Sequence, residues 1–142
     1  MAHVIPYLTF NGNTEEAFNF YKSVFGSEFI NVQRFKDMPG QSDYKPDEGE
    51  KIMHISMSLG NEEFLMASDT IESMSSDFKI GNNFSLSINA DSEANADKLF
   101  NGLSNGGKIT LPLAKTFWGS YFGMMTDKFG IQWMVSYEYK KS

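Results

Sequence analysis

The sequence predicts an α+β fold: two copies of a strand–helix–three-strand unit, βαβββ, set side by side as an incomplete barrel with the helices outside. Three observations predict it. The segment Phe10-Asn11-Gly12-Asn13-Thr14-Glu15 returns in character 78 residues later as Ile88-Asn89-Ala90-Asp91-Ser92-Glu93. Each copy follows a short strand pattern and opens a helical one with a single apolar stripe. Three further strand patterns then follow each helix, with turn residues between them.

The elements come in order. Val4 to Phe10 and Phe84 to Ile88 read as the first strands; in the second, Phe84, Leu86 and Ile88 alternate with Ser85 and Ser87. Asn13-Thr14 and Asp91-Ser92 supply side-chain oxygens suited to the orphan amides of a first helical turn. Ala17, Tyr21, Val24 and Phe25, and later Ala96, Leu99, Phe100 and Leu103, fall at helical spacing. Gly26 stops the first helix and Gly106-Gly107 follow the second. Glu28 to Phe35, Ile52 to Leu59 and Glu63 to Ser68 are the strands of the first half. Lys108 to Leu113, Tyr121 to Thr126 and Gln132 to Tyr137 are those of the second. Lys36 to Glu50, with Pro39, Gly40, Pro46 and Gly49, is a loop long enough to act as a lid. Thr70 to Asn82 links the halves. One helix cannot cover both faces of four strands, so residues 1–142 are expected to form one domain with half-repeats at about 3–69 and 82–138.

Composition narrows the function. The 142 residues carry a net charge of −6 and no Lys/Arg run, which excludes nucleic acid and anionic membrane as natural partners. Cysteine is absent, and with it thiolate metal sites and a cysteine nucleophile. Only His3 and His54 could give imidazole ligands, too few for a multi-histidine cage. No run approaches the roughly 18 apolar residues of a membrane span, and residues 1–10 lack the basic start of a signal peptide. A cytoplasmic location is expected. Aromatic residues at 15% and nine Met suit an adaptable apolar cavity as well as a core.

Alternation assigns faces. Leu8 and Phe10 face the helix, so Tyr7 and Thr9 face away; Ser85 and Ser87 do the same in the second half. In the third strand Met53, Ile55, Met57 and Leu59 oppose His54, Ser56 and Ser58. The outward set is polar without charge, as a ligand-facing surface would be. His54 is the best candidate for proton transfer, since histidine ordinarily titrates near pH 6.5, and equally a hydrogen-bonded structural residue. Asp69, at a strand end, either pairs with it or caps the following turn. Trp118 and Trp133 either stack on a flat ligand or fill the core. Trp118 and Gln132 are expected at the rim of the concavity. Asn105-Gly106-Gly107-Lys108 lacks the spacing of a phosphate loop and reads as a turn, and no Gly-x-Ser-x-Gly elbow occurs.

Several segments in order resemble one family. Pro6-Tyr7-Leu8-Thr9-Phe10-Asn11-Gly12-Asn13, Glu16-Ala17 and Phe20-Tyr21 are similar to the PhnB-like branch of the vicinal oxygen chelate superfamily, which includes glyoxalase I, extradiol dioxygenases and bleomycin-resistance proteins. So are Lys51-Ile52-Met53-His54-Ile55, Leu65-Met66-Ala67-Ser68-Asp69, Phe117-Trp118-Gly119 and the segment from Thr126 to Trp133. This branch is also called demethylubiquinone methyltransferase-like, but no doubly wound sheet with a glycine-rich first turn is present to hold a sulfonium nucleotide. The resemblance implies paired βαβββ halves and a homodimer.

It does not supply the metal site of superfamily members such as glyoxalase I, in which His, Glu or Gln on the first and last strands of each half hold a divalent ion. The matching positions here are about Ile5, Met66 or Ala67, Asn83, and Met134, and these side chains do not suit a hard cation. No metal and no cofactor is therefore expected. The reading is a binding protein for a small organic molecule, with Tyr7, Thr9, His54, Ser56, Ser85, Ser87, Trp118 and Gln132 at the site. The alternative is a superfamily enzyme of lyase, isomerase or dioxygenase type that uses a non-standard metal or His54 as acid and base.

Overall fold

The computed structural model describes residues 2–38, 45–71 and 77–139. They divide into two compact units, Met1–Lys79 and Ile80–Ser142. The first contains β1 (Tyr7–Phe10), α1 (Thr14–Phe25), β2 (Phe29–Arg34), a 3-10 turn at Phe35–Asp37, β3 (Ile52–Gly60) and β4 (Glu63–Asp69). The second repeats the order with β5 (Leu86–Asn89), α2 (Glu93–Ser104), β6 (Lys108–Lys115), β7 (Ser120–Thr126) and β8 (Gln132–Glu138). Of the lid loop expected at 36–50, residues 39–44 lie outside the described residues; so do 72–76 of the link.

The two sheets have one topology. Strand order is β1-β4-β3-β2 in the first unit and β5-β8-β7-β6 in the second, so the strand before each helix pairs with the last strand of its unit. That pairing is parallel, β1 with β4 and β5 with β8, and the rest are antiparallel. A parallel neighbour requires a crossover, and the helix with the strands after it provides one. These are the tandem βαβββ repeats of an α+β fold.

α2 buries the stripe its spacing predicts; in α1 the expected Ala17 and Tyr21 are buried, Val24 and Phe25 are only half-buried, and Phe18 joins the core. Ala17, Phe18 and Tyr21 are fully buried beneath α1, against Leu8, Phe10, Ile55, Met57, Leu65 and Ala67 of the helix-facing strand positions. Ala96, Leu99, Phe100 and Leu103 do the same beneath α2, with Met125, Trp133 and Val135 from the sheet. Each large side chain so buried contributes roughly 2 kcal/mol of transfer free energy. Gly123 shows how close α2 comes. A Cβ there would lie 2.7 Å from Phe100 Cε2 and 2.8 Å from Leu113 Cα, so only glycine lets the layers meet. Gly26 ends α1 in the left-handed region (φ 67°) and returns its amide to the Lys22 carbonyl.

The helix starts differ from the expected symmetry. Ser92 caps α2, accepting from the Asn95 amide at 2.9 Å, as its position predicts. Asn13 makes no such bond. The cap of α1 comes instead from Asp69, 55 residues on, whose Oδ1 accepts from the Thr14 amide at 2.9 Å and the Thr14 hydroxyl at 2.7 Å. A full carboxylate at the positive end of the helix is a stronger cap than a neutral amide side chain. Among the described residues no helix is long and apolar enough to cross a membrane.

Candidate functional site

The face of the first sheet turned away from α1 is built by register. Leu65, Ala67 and Asp69 are buried on the helix side, so Phe64, Met66 and Ser68 stand on the open face. Tyr7 pairs with Met66, Met66 with Ser56, and Ser56 with Asn31, giving one row across all four strands. The next row runs from Thr9 through Ser68, and His54 pairs with Gln33. The rows meet where the Tyr7 hydroxyl lies 3.2 Å from His54 Nδ1, with ring centroids 5.8 Å apart and planes tilted by 37°. Tyr7 is half exposed (50%) and His54 half-buried. Sequence alternation therefore places Tyr7, Thr9, His54 and Ser56 on one face. It did not anticipate that Ser56 would be buried, at 5% exposure, nor that Tyr7 would bond His54.

Asp69 stands on the opposite face of the sheet from His54 and cannot orient it. Beyond the α1 cap it accepts from the Ile52 amide at 2.8 Å through Oδ2, so Oδ1 ties β4 to the helix and Oδ2 ties it to β3. Neither of its expected roles, histidine partner or turn cap, is what the carboxylate does.

In the second unit the open face follows the same rule. Ser87 pairs with Met134, and Met134 with Met124, while Leu86 and Ile88 point toward the helix. Ser87 is exposed; Ser85 is half-buried just before β5. Gln132 is tied within its own unit, its amide donating to the Phe84 carbonyl. Trp118 lies in the β6–β7 turn, 58% exposed and edge-on to Phe117 at 5.0 Å. Trp133 is core: it is 2% exposed and its indole N–H donates to Asp127 Oδ2 at 2.8 Å. Asp127 Oδ1 also accepts from the Phe129 and Ile131 amides, which fixes the β7–β8 turn.

A polar cleft of about 350 Å³ at the start of α1 was not read from the sequence. Gly12, Glu15, Arg34, Asp47, Glu50 and Lys51 border it. Arg34 holds Glu15 with two parallel bonds, 3.1 and 2.7 Å, and donates to the Glu50 carbonyl at 2.7 Å. Lys51 Nζ donates to the Gly12 carbonyl at 2.9 Å, and Lys36 pairs with Glu50 at 2.7 Å. The hydrogen bond from Arg34 holds the Glu15 carboxyl below its usual range, and the same bond raises Arg34. These charges sit at the ends of predicted elements, where nothing in the spacing says which will meet.

The metal expectation can be tested against the donors. Among the described residues no three His, Cys, Asp or Glu side chains gather as a metal site requires. At the positions where the superfamily places ligands stand Ile5, Met66, buried Ala67, Asn83 and Met134. The Ile, Ala and Met side chains offer no oxygen or imidazole to a hard divalent ion, and the Asn83 amide oxygen is a single neutral ligand, so the donor set does not fit one.

Tandem βαβββ units with one helix per four-stranded sheet define the class of glyoxalase, bleomycin-resistance and dioxygenase folds. A domain of that class from Frankia sp. EAN1pec, 12% identical, has a TM-score of 0.67 over 100% of this chain and 96% of its own. Within the class, residues 2–136 match the family model described as 3-demethylubiquinone-9 3-methyltransferase, and the chain belongs to that family, which includes PhnB proteins. Protein PA1353 from Pseudomonas aeruginosa is 39% identical, with a TM-score of 0.84 over 97% of this chain and 98% of that one. The Bacillus cereus PhnB protein is 28% identical, with a TM-score of 0.76 over 96% and 99%.

Proposed function

We propose that this PhnB-family chain binds a small organic molecule on the open sheet face around Tyr7 and His54, without the superfamily's divalent metal. The observation that carries the reading is the Tyr7–His54 pair, two ring side chains joined at 3.2 Å on a face whose other strand positions are uncharged. Polar side chains with an apolar surround are what a small-molecule site offers, since a few placed groups orient a ligand that apolar contacts retain. Thr9 and Ser56 extend the polar lining on the first sheet, and in the second unit Ser85, Ser87, Trp118 and Gln132 are the ligand-binding candidates. In the same reading, residues 1–142 work as one domain and the chain acts as a homodimer.

Native mass spectrometry of protein purified without an affinity tag tests the reading. Wild-type protein is expected to carry a co-purified organic mass that His54→Ala loses while its melting temperature holds. The same mass retained in His54→Ala and Tyr7→Phe removes the assignment of this face.

The second reading is a superfamily enzyme that uses a non-standard metal or His54 as acid and base. It is favoured by the same hydrogen bond, because Tyr7 can hold the imidazole in one orientation. Metal analysis separates the two: stoichiometric, tightly held metal supports the enzyme, and metal-free protein that still binds its ligand supports the binder.

A further inference from the structure

We infer that Asn11 is a site of spontaneous covalent modification, where the Asn11-Gly12 pair closes to a succinimide and opens to aspartate and isoaspartate. Water is the only co-reactant. The Gly12 amide nitrogen loses its proton and bonds to Asn11 Cγ, the Cγ–Nδ2 bond breaks, and ammonia leaves carrying the proton. Water then adds at one carbonyl of the ring. Breaking the nitrogen's bond to the side-chain carbonyl gives aspartate; breaking its bond to the main-chain carbonyl gives isoaspartate, with a main chain one carbon longer. No electron changes hands.

The chain has three Asn-Gly pairs, Asn11-Gly12, Asn101-Gly102 and Asn105-Gly106. In each, glycine leaves the attacking nitrogen unshielded. The fold protects two of them. Asn101 and Gly102 lie inside α2, where helical dihedrals hold the next amide away from the side chain and engage it as a helix donor. Asn105 ends that helix with ψ at 118°. Ring closure needs a strongly negative ψ, beyond the helical value, because only then does the following nitrogen swing to the side of Cβ. The Gly107 amide donates to the Ser104 carbonyl at 2.9 Å and holds the Asn105 turn as it is.

Asn11 has neither protection. It is exposed, in a bend outside helix and strand, and no hydrogen bond among the described residues holds its side chain or the Gly12 amide. The anchors stand on either side: the Phe10 carbonyl accepts from the Thr70 amide at 2.7 Å, and the Asn13 carbonyl from the Ala17 amide at 3.0 Å. Gly12 borders the polar cleft at the start of α1, so water reaches the bond. Lys51 adds an electrostatic pull. Its Nζ donates to the Gly12 carbonyl at 2.9 Å and lies 3.5 Å from where a Gly12 Cβ would sit. A cation so near favours the amide anion that attacks.

The test is peptide mass mapping of wild-type protein held at mildly alkaline pH, with fragmentation to locate each amide-to-acid change and the urea-unfolded chain as reference. In the folded protein Asn11 is expected to convert at least about tenfold faster than Asn101 and Asn105, because local opening must precede reaction at those two. In urea the three rates should agree within about threefold, since the protection is structural. Asn11→Ser should remove the early acidic species that ion exchange resolves from wild type. Equal rates at the three sites in the folded protein, or fastest conversion at Asn101 or Asn105, overturn the inference. So does an Asn11 rate that folding slows by about tenfold or more.

Discussion

Asp69 and His54 are fifteen positions apart on neighbouring strands, and their surroundings set opposite expectations for mutation. Asp69 is 5% exposed and accepts three hydrogen bonds, from the Thr14 amide, the Thr14 hydroxyl and the Ile52 amide. Removing it orphans buried donors and takes the negative charge from the α1 start. Asp69→Ala should cost on the order of 3 kcal/mol in urea unfolding. Asp69→Asn should cost less, since its carbonyl oxygen can still accept from Thr14. A loss below about 0.5 kcal/mol for the alanine variant would mean that water replaces the carboxylate at no penalty. His54 shares its hydrogen bond with a half-exposed tyrosine, so water can take the place of its ring. His54→Ala should therefore cost under about 1 kcal/mol in the same measurement. A drop of 3 kcal/mol with ligand binding intact would make His54 a structural residue.

Among elements, the contact that sequence spacing could not reveal is the one between the end of β2 and the first turn of α1. Arg34 grips Glu15 there with two bonds, but Glu15 is half exposed, so the pair is worth no more than about 1 kcal/mol. Its pH dependence has a definite sign. Glu15 is held below its usual range in the folded chain, so its contribution is complete above the unfolded carboxyl pKa of about 4.3 and disappears as pH falls through the lower folded value. Stability between pH 5 and pH 3 should fall less steeply in Glu15→Gln than in wild type; equal slopes would show the pair inactive in solution. Tyr121 behaves in the opposite range. The Asp97 carboxylate accepts its hydroxyl at 2.6 Å, and this bond with burial pushes the phenol up to about 12. The stability it adds is complete below about pH 10 and is lost as pH rises through about 12. Ultraviolet titration should lose its latest-ionising tyrosine in Tyr121→Phe, while Tyr139, also raised by desolvation and its bond to Glu93, still ionises late. Gly123 is the packing counterpart: its added Cβ would meet the Leu113 backbone at 2.8 Å as well as Phe100 Cε2 at 2.7 Å, so Gly123→Ala must shift β6 against β7 and should cost about 1–3 kcal/mol, the scale of core overpacking, by thermal unfolding.

For the whole molecule, the proposal of a homodimer rests on edges and exposed apolar surface. β2 and β6 are each an edge strand of their sheet, opposite β1 and β5. β2 exposes Ile30 (58%) and Val32, and β6 exposes Ile109 (48%) and Leu111. Unpaired edges with apolar side chains favour association. Sedimentation at micromolar concentration is expected to give twice the 16.0 kDa chain mass, and Ile109→Lys with Leu111→Lys to lower it. A monomer at those concentrations would withdraw the homodimer.

The sequence by itself determined the repeat, the strand and helix order, and which strand residues face away from the helices. Those properties follow from local periodicity, period 2 in strands and 3.6 in helices, which any short segment carries within itself. Leu8 with Phe10, Ala17 with Tyr21, and Leu86 with Ile88 are legible in that way. The family was legible too, because its segments keep their order along the chain. Tertiary structure alone decided that Asp69 caps α1 in place of Asn13, that Arg34 meets Glu15, that Trp133 donates to Asp127, and that Tyr7 reaches His54. Each of these joins residues that chain periodicity does not relate, and only strand register and the packing of helix on sheet bring them within hydrogen-bond distance.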